Sequence, residues 1–195
     1  MSDVTYFDTA KRSFKDVPVI NNEIALTEFI EASESVVALF DLLGSTAFAP
    51  VQKDMTGNIK KLRDCQNADP LNPTTLQALV KNELASGKHN ATEGLLWLNR
   101  GLTFTCQAIR NNHDNPTEEL SASFTTAYGK TLKKHHNMFV KGVFSLAMKA
   151  CPYRADFYKK LGSNQVKVSE QLEEWLTSLE LCCGILGVWI EEVKW

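Results

Sequence analysis

The sequence predicts an all-α fold of about seven or eight helices, on three observations. Apolar residues recur at three- and four-residue spacing in one stretch after another. Glycines, prolines and capping residues punctuate those stretches, so the loops between them are short. No run alternates apolar and polar with period two, and no segment repeats or falls to low complexity. The 195 residues suffice for one domain with a substantial core, and 1–195 is read as a single domain.

Residues 1–23 read as a leader lying on the domain surface, anchored by Tyr6, Phe7 and Phe14, with Val17-Pro18-Val19 extended. Thr27 is the expected N-cap of a first helix that puts Phe29, Val36, Leu39, Phe40 and Leu43 at helical spacing and ends at Gly44. A loop holding Pro50 leads into a helix that continues to about residue 66. After the loop A-D-P-L-N-P, Asn72 or Thr74 opens a third helix through Leu76, Leu79, Val80 and Leu84, and Gly87 stops it. Residues 91–110 form a strong fourth helix. Residues 118–128 and 130–149 read as one long helical stretch, with Gly129 and Gly142 as bends. Pro152 marks a break, 153–161 a short amphipathic helix stopped by Gly162, and Ser163 or Asn164 caps a last helix that runs to about residue 189.

Composition narrows the function classes. With 44% hydrophobic and 23% charged residues the chain is globular rather than disordered. A formal charge of −2 and the lack of a long basic run exclude a nucleic-acid partner. The opening M-S-D-V-T-Y-F-D has neither the basic nor the apolar region of a signal peptide, and no myristoylation or prenylation pattern is present. The longest apolar stretch, 181–190, is too short to span a bilayer. The expectation is a soluble, cytoplasmic protein whose membrane contact is local, transient and mainly apolar. Cys65, Cys106, Cys151, Cys182 and Cys183 are odd in number and lack CxxC spacing, so they read as reduced, packed thiols. The histidines offer no metal pair, and no phosphate loop, nucleophile elbow, HExxH or EF-hand appears. The sequence therefore nominates no cofactor, no metal and no enzyme. Asp54 with His136 would mimic a dyad, but no nucleophile is marked.

Three features carry chemistry. On the helix through V-Q-K-D-M-T-G-N-I-K-K, with Asp54 at zero, Asn58 falls near about +40° and Lys61 near about −20°, on one ridge. Val51, Met55, Ile59 and Leu62 form an apolar stripe beside it. A carboxylate–amide–ammonium ridge at the edge of a core suits a ligand with a polar head and an apolar tail; weakly coupled surface charges would look the same. Trp97 shares its ridge with Gly94 and Gly101, each costing helix stability by about 1 kcal/mol against alanine. Something lies flat there, either a packed helix or the apolar face of a sugar ring, on which an indole stacks well. His136 has Leu132, Phe139 and Val143 at helical spacing and so points partly inward, as a satisfied core histidine or as a donor to a ligand carbonyl; His135 is turned away.

D-M-T-G-N-I-K-K, L-L-W-L-N-R-G-L, A-Y-G-K-T-L-K-K-H-H and A-C-P-Y-R-A-D-F, in that order and spacing, resemble the glycolipid transfer proteins, the fungal members most of all. The resemblance covers essentially the whole chain. It implies a two-layer, all-helical sandwich that encloses one sphingolipid, acting by non-enzymatic transfer between membranes. By motif, Asp54, Asn58 and Lys61 would hydrogen-bond the first sugar, Trp97 would stack on it, and Asp54 with His136 would hold the ceramide amide. In the phosphate-headed branch basic residues stand near Asn58 and Trp97; an amide and an indole here imply a neutral sugar head. Leu39, Phe40, Leu43, Phe48, Leu62, Phe104, Ile109, Phe124, Phe139, Val143, Phe144 and Met148 are candidates for the chain pocket, each equally at home in a core. Met138 stands where better-known members carry a docking tryptophan, and lacks its interfacial preference. Tyr153, Phe157, Tyr158, Lys159 and Lys160 offer a second membrane-contact patch. Trp195 is expected to fold back toward the pocket entrance. The partners implied are a glycosphingolipid and a transient membrane surface, met by a monomer. The rival class is a glycolipid sensor acting through a protein partner, as in fungal self-recognition.

Overall fold

The computed structural model describes residues 3–71 and 73–193; Asn72 and the terminal Lys194-Trp195 lie outside them, and with the latter the expected docking of Trp195. Nine α-helices occur among the described residues: α1 (Tyr6–Thr9), α2 (Leu26–Leu42), α3 (Ala49–Ala68), α4 (Leu76–Ala85), α5 (Asn90–Asp114), α6 (Leu120–Lys130), α7 (Met138–Lys149), α8 (Arg154–Leu161) and α9 (Gln165–Glu192). The all-α expectation holds, with α1 an addition inside the leader. Thr5 caps α1 in a reciprocal capping box with Asp8.

The leader is built into the core rather than laid over it. Phe14 is 1% exposed, packed edge-on against Phe29 of α2 and Trp175 of α9. It also carries a two-residue antiparallel hairpin of β1 (Val19–Ile20) and β2 (Glu23–Ile24). Asn21 and Asn22 both take positive φ at its turn, a conformation asparagine tolerates. Two residues per strand are too few for periodicity to reveal.

The hairpin sets where α2 begins. Ala25, not Thr27, is its N-cap, because the Leu26 N–H is held by the Thr74 carbonyl. The Thr27 hydroxyl instead accepts from Gln66 of α3 at 2.6 Å. Gly44 stops α2 at φ +67° and Gly87 follows α4 at φ +73°, as expected. Pro50 lies within the first turn of α3, where its missing N–H costs nothing, so that helix starts earlier than expected. Thr75 caps α4, one residue past Thr74. Asn164 caps α9, accepting from the Lys167 N–H.

The main correction concerns the stretch after residue 118. It bends at neither Gly129 nor Gly142. It breaks between α6 and α7, over 131–137, with a 3₁₀ turn at Lys133–His135 and His136 extended. The Thr131 hydroxyl bonds back to the Ala127 carbonyl, and Asn137 caps α7 by accepting from the Val140 N–H. Both side chains favour a terminus over a continuous helix.

α5 runs through the centre, packed against α3, α4, α6 and α9. Its Leu95, Leu98, Leu102, Ala108 and Ile109 are almost wholly buried. Arg110 ties α5 to α9 through Glu173 and Glu180. All five cysteines are free thiols.

Candidate functional site

α3 and α5 lie close enough that a side chain at one point of α5 would crowd them. A Cβ on Gly94 would stand 3.0 Å from the Lys61 Cβ and 3.2 Å from the Asn58 carbonyl oxygen. A Cβ on Gly101 would meet Met55 at 3.5 Å. Helix packing therefore accounts for Gly94, whereas Gly101 has room for a Cβ in ordinary contact and faces open space beside Trp97. The close approach sets the polar ridge of α3 beside the indole.

Beside that crossing is a cleft of about 600 Å³. Asp54, Asn58 and Lys61 of α3, Trp97 of α5 and His136 from the 131–137 break all line it. The five residues expected to bind a head group and amide thus share one cavity. His136 arrives by a different route from the one its spacing suggested, since the helix that would turn it inward is interrupted there.

Asn58 is 5% exposed and donates from Nδ2 to Asp54 Oδ2 at 3.3 Å. Asp54 is exposed at the cleft edge. Desolvation raises its carboxyl pKa, and Lys61 pulls partly the other way. Lys61 pairs not with Asp54 but with Glu93, at 3.4 Å. Trp97 is half-buried, with the Arg100 guanidinium 4.7 Å from its ring centroid. The His136 ring lies nearly parallel to the indole, 17° off at 6.4 Å, and His135 meets it edge-on at 6.3 Å. Desolvation lowers the His136 pKa, helped by His135 and Lys141, so the imidazole is neutral near pH 7. The cleft holds a carboxylate, an amide, an ammonium, an indole and a neutral imidazole. Such a set can hydrogen-bond a polyhydroxylated group and stack on its apolar face.

The sequence reading missed Glu93, which also lines the cleft. Its signal was available: it stands four residues before Trp97 on the same helical ridge.

Between the helices lies a second, apolar space. Leu39 and Phe40 of α2, Leu43 just past its end, Thr105 and Ile109 of α5, Phe124 of α6 and Phe157 of α8 line a seam with about 170 Å³ of unfilled space, too narrow to seat a water. Touching rings run from seam to cleft: Phe40 to Phe48 at 5.7 Å, Phe48 to Phe124 at 6.2 Å, Phe124 to Phe104 at 5.7 Å and Phe104 to Phe144 at 5.9 Å. Of the other expected pocket residues, Leu62 and Met148 are buried, and Val143 lines the cleft. Phe139 does not belong to an interior pocket: it is 81% exposed, at the cleft mouth beside Met138, because the break puts both in the first turn of α7. The second membrane patch also needs correction. Phe157 and Tyr158 are buried, Phe157 against the seam and Tyr158 under the Arg154 guanidinium, while Tyr153, Lys159 and Lys160 are exposed.

The chain is similar to known proteins over most of its length. The family described as Glycolipid transfer protein (GLTP) matches residues 24–163. A "Glycolipid transfer protein" of Aureobasidium melanogenum is 58% identical over 193 residues, 98% of this chain and 96% of that one. The chain belongs to the glycolipid transfer protein family. Among solved structures, HET-C2, a fungal glycolipid transfer protein, superposes with a TM-score of 0.94 at 50% identity, over 98% of this chain and 100% of that one. FAPP2, described as selecting simple glycosphingolipids with the GLTP fold, superposes at 0.89 with 33% identity, over 97% of this chain and 96% of that one. The fold is thus the two-layer helical sandwich of this family. Among the described residues no helix is long and apolar enough to cross a membrane.

Proposed function

We propose that this chain takes a glycosphingolipid out of one membrane and releases it to another, without changing it chemically. The observation that carries the reading is the placement of Asp54, Asn58, Lys61, Trp97 and His136 around one cleft. Asp54, Asn58 and Lys61 hold hydroxyls of a neutral first sugar, and Trp97 stacks on its ring. Asp54 accepts from the ceramide N–H, and His136 donates to its carbonyl. The chains enter the seam between α2, α5, α6 and α8, which must widen to take them. Each buried CH₂ is worth about 0.8 kcal/mol against water, but bilayer and seam are both apolar, so transfer between them is near neutral and reversible. Catalysis is not required.

The cleft mouth is where the membrane would meet the protein. Met138 and Phe139 are each 81% exposed, Leu146 is exposed two turns further along α7, and Tyr153 is exposed just before α8. Lys133, Lys134 and Lys149 are exposed around them. An apolar face fringed by lysines suits shallow insertion between lipid heads. In this reading the chain works as a single domain and a monomer, on cytoplasmic membrane surfaces, and leaves after loading.

The test is transfer of labelled galactosylceramide between vesicles by the purified chain alone. Transfer, with lipid recovered intact by mass spectrometry and lost in Asp54→Val, is the expected result. Binding without transfer would instead make the chain a glycolipid sensor.

A further inference from the structure

One buried hydroxyl touches the proposed site without lining it. Tyr128 of α6 is 4% exposed, and its hydroxyl lies 3.1 Å from Nδ1 of His136. Its ring is fixed, stacked on Phe144 at 5.0 Å and 14°, with the edge of Phe104 at 6.2 Å. Phe144 also packs against the imidazole, at 4.7 Å. The Tyr128 ring is thus hemmed in by aromatic neighbours, while the imidazole faces the cleft.

A neutral imidazole carries one N–H and one bare nitrogen, and its neighbours decide which is which. Here the choice is constrained. Among the described residues, the acceptor within reach of the Tyr128 hydroxyl is Nδ1. Were Nδ1 protonated, it would donate to the phenol oxygen and leave the hydroxyl hydrogen buried without an acceptor, which is costly. This favours the phenol as donor to Nδ1, with the imidazole proton on Nε2.

We propose that Tyr128 is a positioning residue: by holding His136 in the Nε2–H tautomer, it presents a fixed donor to the carbonyl of the lipid amide. The inference rests on the head-group site proposed above. It makes Tyr128 a determinant of preference for lipids that carry an amide, although Tyr128 does not touch them.

Nitrogen-15 NMR of histidine-labelled protein tests it, with His136→Gln used to assign the resonance. In the wild type, Nε2 should be protonated and Nδ1 bare. Tyr128→Phe should give a mixture of tautomers and weaken galactosylceramide binding about tenfold, the scale of one hydrogen bond. A dialkyl galactoside without the amide should bind both proteins equally. A protonated Nδ1 in the wild type would overturn the proposal, even if Tyr128→Phe did not fold. So would an equal loss for both lipids, which would mark Tyr128 as merely structural, or no loss for either. If His136→Gln leaves galactosylceramide binding unchanged, the amide-binding role of His136 fails, and this inference with it.

Discussion

At the scale of single residues, Asp54 and His136 are where pH acts on the cleft. Desolvation raises the Asp54 pKa, so the fold favours its protonated form. A raised folded pKa stabilises below the unfolded value, about 4 for a carboxyl, and that contribution is lost as pH rises through the folded value. Asp54 is exposed at the cleft edge, so solvent screens this effect and its weight in stability at neutral pH is small. Asp54→Asn should leave the melting temperature at pH 7 unchanged or higher, while galactosylceramide affinity falls more than tenfold, since each charge-assisted hydrogen bond is worth about 1.5–3 kcal/mol. Binding by the wild type should weaken as pH falls through the raised Asp54 pKa, and titration of affinity against pH checks the direction. His136 acts the same way in acid: its lowered pKa means that protonation costs stability as pH falls below about 6.5. Much of this was legible in the sequence, because Asp54, Asn58 and Lys61 share a helix whose geometry is fixed by spacing alone. The partner of Lys61 was not, since Glu93 reaches it from another helix.

At the scale of elements, two features position the site. The first is the crossing of α3 and α5 at Gly94. Gly94→Ala would force its Cβ against the Lys61 stem and the Asn58 carbonyl, the second of which is backbone and yields little. Overpacking of this kind costs about 1–3 kcal/mol, and here it should also displace two head-group ligands. Calorimetry and lipid binding should therefore both show a loss, whereas Gly57→Ala, with open space around it, should show neither. The second feature is the break before α7. Sequence periodicity missed it because Leu132, Phe139 and Val143 keep helical spacing straight across it. The local hydrogen bonds of Thr131 and Asn137, rather than any apolar pattern, end one helix and start the next. The break turns Met138 and Phe139 outward and His136 into the cleft. A tryptophan at the outward position should strengthen docking, because an indole prefers the membrane interface. Met138→Trp is expected to raise adsorption to vesicles several-fold without changing affinity for a short-chain glycolipid in solution. Unchanged adsorption would place the docking surface elsewhere.

At the scale of the whole molecule, head-group cleft and chain seam are one connected machine only if the seam opens. As it stands, the seam is dry and too narrow for water, let alone an acyl chain. Opening it separates Leu39, Phe40 and Leu43 from Phe124 and Phe157, contacts that an inserted chain must replace. Under the proposed function the empty protein closes on itself and the loaded one on lipid, so the same side chains would serve as core in one state and as binding site in the other. For this reason the sequence could not separate pocket from core: Leu39 satisfies both descriptions. A cavity variant separates them. Leu39→Ala should cost the empty protein about 2–5 kcal/mol, as large-to-small changes do in a core that cannot fully collapse. For a chain of this length that is a fall in melting temperature of roughly 2–4 °C per kcal/mol. In the loaded protein an acyl chain would occupy part of the vacated space, and the fall should be smaller. The difference in melting temperature between loaded and empty protein should therefore be wider in Leu39→Ala than in the wild type, at the same lipid concentration. Leu179 of α9, wholly buried but away from the seam, is the control: Leu179→Ala should lower both states alike. If Leu39→Ala also lowers both alike, the chains lie elsewhere, and the seam between α2, α5, α6 and α8 is only core.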